Sequence, residues 1–476
     1  MSVATAISTN ATRQEWATWA EEEFRGAGLG DARLDRRLVQ IVAARMTAPA
    51  ESIPRSLGPW AQTKAGYRFM DNDSVAPSAI YARHRSNVVE RASKESVVLA
   101  VADTTMLDFT SHPGTQGLGP LADEDHHGLV AQPTLVVTPT RVPLGLIDQQ
   151  VWVRDLETFA QGDKKERAKR PIAEKESVKW LVSLRAADRL AVELSSGGTL
   201  VVGVFDREGD VFEVLAEATR PEVRARLVVR SMSNRRVEGS EGYLWEQAAA
   251  APLAGSMTVN VSQKPGRAPR EATLEVRFGT VTLRPPAGKA HLSAEPVIVQ
   301  FVYVHEPNPP TNTEPLSWML LTTAPVASFD DACTIVDWYA ARWTVEVFFR
   351  TLKSGCKVEK RQFETRERLE RYLAIDSVIA WRVLYLTAIG RQTPDLPCSV
   401  VFEEHEWKSL WTFVKRSPAA VPTEVPTLNE AIRMVGRLGG HLGRKSDGEP
   451  GAMCMWRGLQ RLSDIGAMWL IVRRRE

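Results

Sequence analysis

The 476-residue sequence predicts an α/β core with an antiparallel β insertion, flanked by helical N- and C-terminal regions. Three observations lead there. Residues 13–85 repeat their apolar side chains at helical spacing. Two later runs, SVVLAVADTT and TLVVGVFD, are continuously apolar, as strands buried on both faces are. Residues 240–310 are broken by Pro and Gly and alternate with period two, as in TLEVRFGTVTL. The chain also exceeds the ~250–300 residues at which a single core stops growing, so several domains are expected.

In chain order, Trp16, Trp19, Ala20 and Phe24 share a helical face, Gly28-Leu29-Gly30 breaks it, and Asp31 is placed to cap the next helix. That helix, ARLDRRLVQIVAARM, buries Leu34, Leu38, Ile41 and Val42 and sets Arg33, Arg36, Arg37 and Arg45 on its opposite side. Such arginines are either a solvated face or phosphate contacts. A third helical stretch holds Trp60, Lys64, Tyr67, Arg68 and Phe69. The first strand ends at Asp103; residues 129–138 and 145–153 follow as a hairpin, with Pro139 and Pro143 at its turn. Residues 175–194 have helical periodicity, 199–206 is the second buried strand, ending at Asp206, and 226–231 is a further short strand. Within the insertion, the basic loop Lys264-Pro265-Gly266-Arg267-Ala268-Pro269-Arg270 is either a solvated tip or a phosphate-tracking loop. Residues 317–326 return to buried strand, 333–353 form a helix, and a long helical stretch runs on to Pro394 and Pro397. The division is 1–85, 86–390 with the insertion at about 235–315, and a helical 391–476.

A hydrophobic share of 43%, a charged share of 25% and a net charge of +2 are those of an ordinary globular protein. A nucleic-acid surface would therefore need arginines gathered on one side. Cys333, Cys356, Cys398 and Cys454 are far apart and show no C-x2-C pairing, which argues against zinc and disulfides and for a reducing cytosol. With no apolar run of ~18 residues and no leader-like N-terminus, the expectation is a soluble intracellular protein with no membrane partner.

The chemistry concentrates in WYAARWTVEVFFRTLK. Tyr339, Arg342, Glu346 and Lys353 follow Y-x2-R-x3-E-x6-K, and at about 100° per residue they fall within about 60° of one another on a helix. One acid beside two cations and a phenol suits a metal-bound phosphodiester. Arg350 and Trp343 border the same face. Asp103 and Asp206, at the ends of buried strands, would bring two more carboxylates to the sheet edge where α/β proteins bind ligands. Burying such charges costs several kcal/mol unless a cation compensates. Three carboxylates without a His/Cys cluster select a hard ion, Mg²⁺ with Mn²⁺ as substitute. Two such ions, Asp103 bridging them, suit an in-line displacement at phosphorus.

Asp103-Thr104-Thr105, Asp206-Arg207-Glu208-x-Asp210 and the Y-R-E-K helix, in this order, resemble the cut-and-paste DDE transposases of the bacterial IS-four group, and most of all its Tn-five branch. The resemblance covers nearly the whole chain. It extends to GLGDARLDRRLV and AGYRFMDNDSV in the N-terminal region, PLSWMLLTTAPV before the catalytic helix, and RLGGHLGRKSDGEPG near the C-terminus. It implies a ribonuclease-H-like core interrupted by a β insertion, with Asp103, Asp206 and Glu346 as the metal-binding triad. Tyr339, Arg342 and Lys353 match phosphate-contacting signature residues, Arg230 a further active-site arginine, and Trp318 a tryptophan that stacks on a flipped base. Arg33, Arg37 and Arg68 match end-DNA contacts. Partners implied are double-stranded DNA, as element ends and target, and a second copy of the chain in a homodimer; the setting is bacterial cytoplasm and nucleoid. Where relatives carry Gly-x-x-x-His-Ser, this chain reads Gly128-Leu129-Val130-Ala131-Gln132-Pro133, which withdraws the expected polar support of that strand while leaving the triad intact.

Two other functions compete. A nuclease of the same core would hydrolyse without joining, but needs neither end recognition nor pairing. A non-catalytic inhibitor of transposition would not need an intact triad, although shorter products from Met46 or Met70 could act that way.

Overall fold

The computed structural model describes the chain except residues 1–17, 48–50, 124, 156–169, 240–241, 262–269, 287–294, 417–420, 445–446 and 474–476. After a helical segment over 18–24, the N-terminal region folds as α1 (Ala32–Thr47), α2 (Ile53–Leu57), α3 (Trp60–Met70) and α4 (Pro77–Ala92). Asp31 does precede α1, and its carboxylate accepts the Arg33 N–H at 2.7 Å. One expectation fails: Arg45 is not on the solvated side. It is fully buried and pairs with Asp376 at 3.2 Å, because the helix is covered on a second face by a later helix of the core. The helix α4 runs straight through the division expected at residue 85.

The strands are β1 (Val97–Ala102), β2 (Thr105–Asp108), β3 (Gly119–Pro120), β4 (His127–Val137), β5 (Pro143–Trp152), β6 (Leu200–Phe205), β7 (Arg226–Arg230), β8 (Gly255–Val261), β9 (Arg270–Leu283), β10 (Val297–His305) and β11 (Ser317–Thr322). They form one sheet in which β5, β4, β1, β6 and β7 lie side by side, β4 antiparallel to β1 and β6 and β7 parallel to it. This is the order and direction of a ribonuclease-H-like core. The insertion extends the same sheet rather than standing apart: β11 pairs antiparallel with β7, and β10, β9 and β8 follow outward.

Both faces are covered, which is why β1 reads as an unbroken apolar run. Leu99 and Val101 pack with the N-terminal helices and those that follow β11. Val98, Ala100 and Ala102 face the side that holds α5 (Val178–Glu193). Downstream of β6, α6 (Phe212–Ala218) and α7 (Leu244–Ala250) complete that layer. After β11 come α8 (Phe329–Ala341), α9 (Trp343–Arg350) and the 27-residue α10 (Arg366–Gln392). The last of these is long and apolar enough to cross a membrane by composition, but 78% of that stretch is buried inside the protein. The C-terminal helices α11 (Glu404–Lys415), α12 (Leu428–Leu438) and α13 (Ala452–Arg473) share a core of their own, including Trp407, Leu410, Ile432, Val435 and Met455. All four cysteines are free.

Candidate active site

Strand β1 and strand β2 hold one register against β4, and the ladder lapses only between them, at Asp103 and Thr104. Opposite the lapse stand Gln132 and Pro133, and a proline has no N–H to give. The chain is thus freed to turn its carboxylate out at the C-terminal end of β1, where the Thr104 N–H fixes one oxygen at 2.8 Å. Asp206 is held in the same manner at the end of the neighbouring parallel strand: it caps a short turn and accepts the Glu208 N–H at 2.9 Å. Asp210, four residues on, is structural. It accepts the N–H groups of Met232 and Ser233 and pairs with Arg235, fixing the turn after β7.

Glu346 comes from α9. Between it and Asp103 lies Arg342, which donates to Asp103 at 2.6 Å and to Glu346 at 2.8 Å. Burial, together with repulsion from Asp206 and Glu346, pushes Asp103 up to about 6 despite Arg342 and the Thr104 amide. Burial likewise raises Asp206. Burial works against the charge of Arg342, yet Asp103, Tyr339, Glu346 and Asp206 together hold it above its usual range. The three acids therefore share one field, which a single guanidinium offsets only in part. Among the described residues they are not drawn together tightly enough to form a ligand cluster. The donor set is nonetheless that of a hard divalent ion, since every member is a carboxylate oxygen and the mutual repulsion favours an added cation.

The helix is not the uninterrupted one expected over 333–353. It breaks at Arg342, between α8 and α9, and ends in a π-turn over Thr351–Gly355. The wider turn takes Lys353 off the angle of a regular helix. Lys353 instead reaches across to the Met106 carbonyl of β2 at 2.5 Å and lies 3.5 Å from Glu359. Glu359 was not anticipated from the sequence, since no spacing links it to the signature. Tyr339 is buried against Trp318, ring centres 5.3 Å apart, and lies close enough to Arg230 to favour its charge. Burial pulls the Arg230 guanidinium below its usual range, and it donates to the Ser317 carbonyl at 3.0 Å. These residues wall a cleft of about 800 Å³ that Arg207, Arg342, Trp245 and Trp343 complete. Trp343 is half exposed on its rim, whereas Arg350 faces solvent.

The strand carrying Gln132 does supply polar support. Its side chain is fully buried and accepts from Thr104 at 2.8 Å. An isolated glutamine in an apolar run gives no hint of this, because its partners come from the turn between β1 and β2 and from α5. Of the more distant residues, Arg33 and Arg68 are exposed and Arg37 half-buried, and Arg37 and Arg68 have no carboxylate partner among the described residues. Lys264 and Arg267 lie outside the described residues. Arg270 does not belong to the loop: it begins β9, and its guanidinium is paired through both nitrogens with the buried Glu306.

Comparison with known families gives three matches. Residues 16–75 match the family described as Transposase DNA-binding, residues 172–381 the Transposase DDE domain, and residues 378–469 the Transposase Tn5 dimerisation domain. Among solved structures, the chain is similar to one described as a cryo-EM structure of the piggyBac transposase synaptic complex with hairpin DNA. Identity there is 13% and the TM-score 0.34, over 82% of this chain and 75% of that one.

Proposed function

The chain belongs to the Tn5-like DDE transposases, and from that premise we propose that it binds the ends of a mobile element, nicks them, cleaves through a hairpin and joins the 3′ ends to target DNA, using one active site in turn. The observation that carries this is Arg342 bridging Asp103 at the end of β1 and Glu346 on α9, with Asp206 in the same field. Asp103, Asp206 and Glu346 are the residues to hold Mg²⁺, as two ions with Mn²⁺ as a substitute, which when bound supply activation of the attacking oxygen and neutralisation of the leaving one.

The chain's own groups do the positioning. Arg342 can exchange its carboxylate partners for nonbridging phosphate oxygens, and its planar fork suits two of them at once. Lys353 stands on the β2 side of the site and Arg230 on the cleft side, so a strand lying between them meets a cation at each end. Tyr339 offers a phenol, and Trp318 a ring face in the cleft on which an unstacked base can rest. A DNA-binding region and a dimerisation region at either end of the catalytic core are what joining two ends requires, and a hydrolase requires neither.

A strand-transfer assay with pre-cleaved ends tests the reading. Joined product is expected in Mg²⁺ and in Mn²⁺. Hydrolysis without any joined product would leave a nuclease in its place.

A further inference from the structure

Gln132 is fully buried in β4, beside the lapse in the ladder that frees Asp103. Its nitrogen donates to the Lys179 carbonyl at 3.3 Å and to the Ser183 hydroxyl at 2.9 Å, both on α5. A carbonyl can only accept, so the amide nitrogen must face α5 and the amide oxygen must face Thr104. The Thr104 hydroxyl therefore donates to Gln132, at 2.8 Å, while the Thr104 N–H donates to the Asp103 carboxylate, also at 2.8 Å. The path continues on the far side of α5. The Lys179 ammonium reaches Glu208 at 3.0 Å, and the Glu208 N–H holds Asp206 at 2.9 Å. One turn of α5 thus stands between the two aspartate-bearing loops, joined to each by hydrogen bonds. In the half of the path through Glu208 the carboxylate is 63% exposed, whereas the half through Gln132 runs from half-buried Thr104 to a fully buried amide, where a hydrogen bond is screened less.

We infer that Gln132 is a positioning residue that fixes the Asp103 carboxylate through Thr104, anchoring it to α5. This rests on the reading that Asp103 helps to hold a divalent cation. Groups that orient a ligand without touching the ion typically change metal affinity by about 10–100-fold when lost.

The structure also supplies the variant that separates positioning from folding. Gln150 donates to the same Lys179 carbonyl at 3.1 Å and the same Ser183 hydroxyl at 3.3 Å. In Gln132→Leu those two α5 groups keep a partner, and the loss falls on Thr104. Mn²⁺ binding to the full-length chain, followed by the electron paramagnetic resonance signal of the free ion, is the readout. Gln132→Leu should bind Mn²⁺ about tenfold more weakly, and Gln132→His, which can still accept from Thr104 and donate to Ser183, should recover most of it. Thr104→Val removes the same link from a half-buried position and carries the test if Gln132→Leu does not fold. The double variant should be no weaker than either single one, because both break one interaction. Wild-type affinity in both single variants, or additive losses in the double, would overturn the inference alone. No Mn²⁺ uptake by the wild-type chain would overturn it together with the metal reading of the site.

Discussion

The buried pair of Arg45 and Asp376 makes a quantitative forecast, because it joins the DNA-binding region to the last helix of the core. Both side chains are 0% exposed, and Asp376 is shared: Arg45 approaches it at 3.2 Å and Arg361 at 3.9 Å. Both guanidiniums also lie against the ring of Tyr372, at 5.3 and 5.6 Å. Removing one partner of a buried pair costs about 3–5 kcal/mol, because the other charge is left uncompensated. The sharing predicts an order within that range. Arg45→Met leaves Asp376 with Arg361 and should cost about 3 kcal/mol; Asp376→Leu removes the carboxylate that both guanidiniums face and should cost about 5 kcal/mol. The double variant still takes the Asp376 carboxylate from Arg361 and should not return to wild-type stability. Urea unfolding followed by tryptophan fluorescence gives the comparison, taken on the first transition because a chain of several domains need not unfold in one step. Equal losses, or Arg45→Met the worse of the two, would refute the claim that Asp376 serves both arginines.

Further outcomes are expected at the site and at its supports. Glu346→Gln should leave end-DNA binding intact and lower cleavage by about 10³-fold, the size seen when a group acting on developing charge is removed; gel-shift and nicking assays on one preparation check both halves. Trp318→Ala should slow hairpin formation more than the first nick, since base stacking of about 1–3 kcal/mol is needed only in the later step; equal slowing of the two in a time course counts against it. If Arg33, Arg37 and Arg68 meet phosphates, end binding should fall steeply with salt, and Arg68→Ala should reduce the slope by about one; a slope unchanged by the substitution returns Arg68 to the solvated face. Burial opposes the charge of Glu23, but His84 and Arg91 outweigh it and hold the carboxyl down at about 2, against 4.5 unperturbed. A depressed carboxyl stabilises above its unfolded pKa and loses that contribution as pH falls through its folded value, so stability should drop as pH falls from about 4.5 towards 2. Glu23→Gln should flatten that part of an acid-unfolding curve.

Two of the three candidate carboxylates, Asp103 and Asp206, were legible because each follows directly on a strand whose pattern is local, whereas Glu346 lies inside α9. An apolar run that stops at an aspartate marks a strand end in any context, and β1 and β6 carry that signal plainly. Regular helical spacing also placed Tyr339, Arg342 and Glu346 together, up to the point where the helix stops being regular. The π-turn at Thr351–Gly355 has no marker in TLKSG, so the position of Lys353 had to come from the structure. Arg45 and Arg270 show the complementary failure. Periodicity assigns Arg45 to solvent and the basic run places Arg270 in a loop, yet each is paired with an acid remote in sequence, Asp376 in one case and Glu306 in the other. Gln132 fails in the same way. Buried polar groups are paired, but a single sequence does not say with what.

The helix α10 explains why the boundaries between functions are hard to draw in this chain. At its first turns, Arg371 donates to the carbonyls of Met70 and Val75 and to Asp73, and Arg368 pairs with Asp71, so the end of α3 and the turn after it are clamped to the core. Midway, Asp376 takes Arg45 from α1, and Trp381 donates to the Pro143 carbonyl at the start of β5. Near its end, Gly390 lies so close to Ile432 of α12 that a β-carbon there would come within 1.9 Å of that side chain. The DNA-binding, catalytic and dimerisation regions therefore all rest on one rod, and the DDE and dimerisation matches overlap within it, at residues 378–381. The middle of this helix is covered on all sides and so has no polar stripe, and it runs unbroken to Gln392, so a division at 390/391 falls inside it rather than in a linker. Rigid attachment at three points along about 40 Å of helix fixes the DNA-binding surface and the pairing domain relative to Asp103, Asp206 and Glu346. Displacing α1 from Asp376 should therefore disturb the presentation of a bound DNA end to the active site even where binding itself survives.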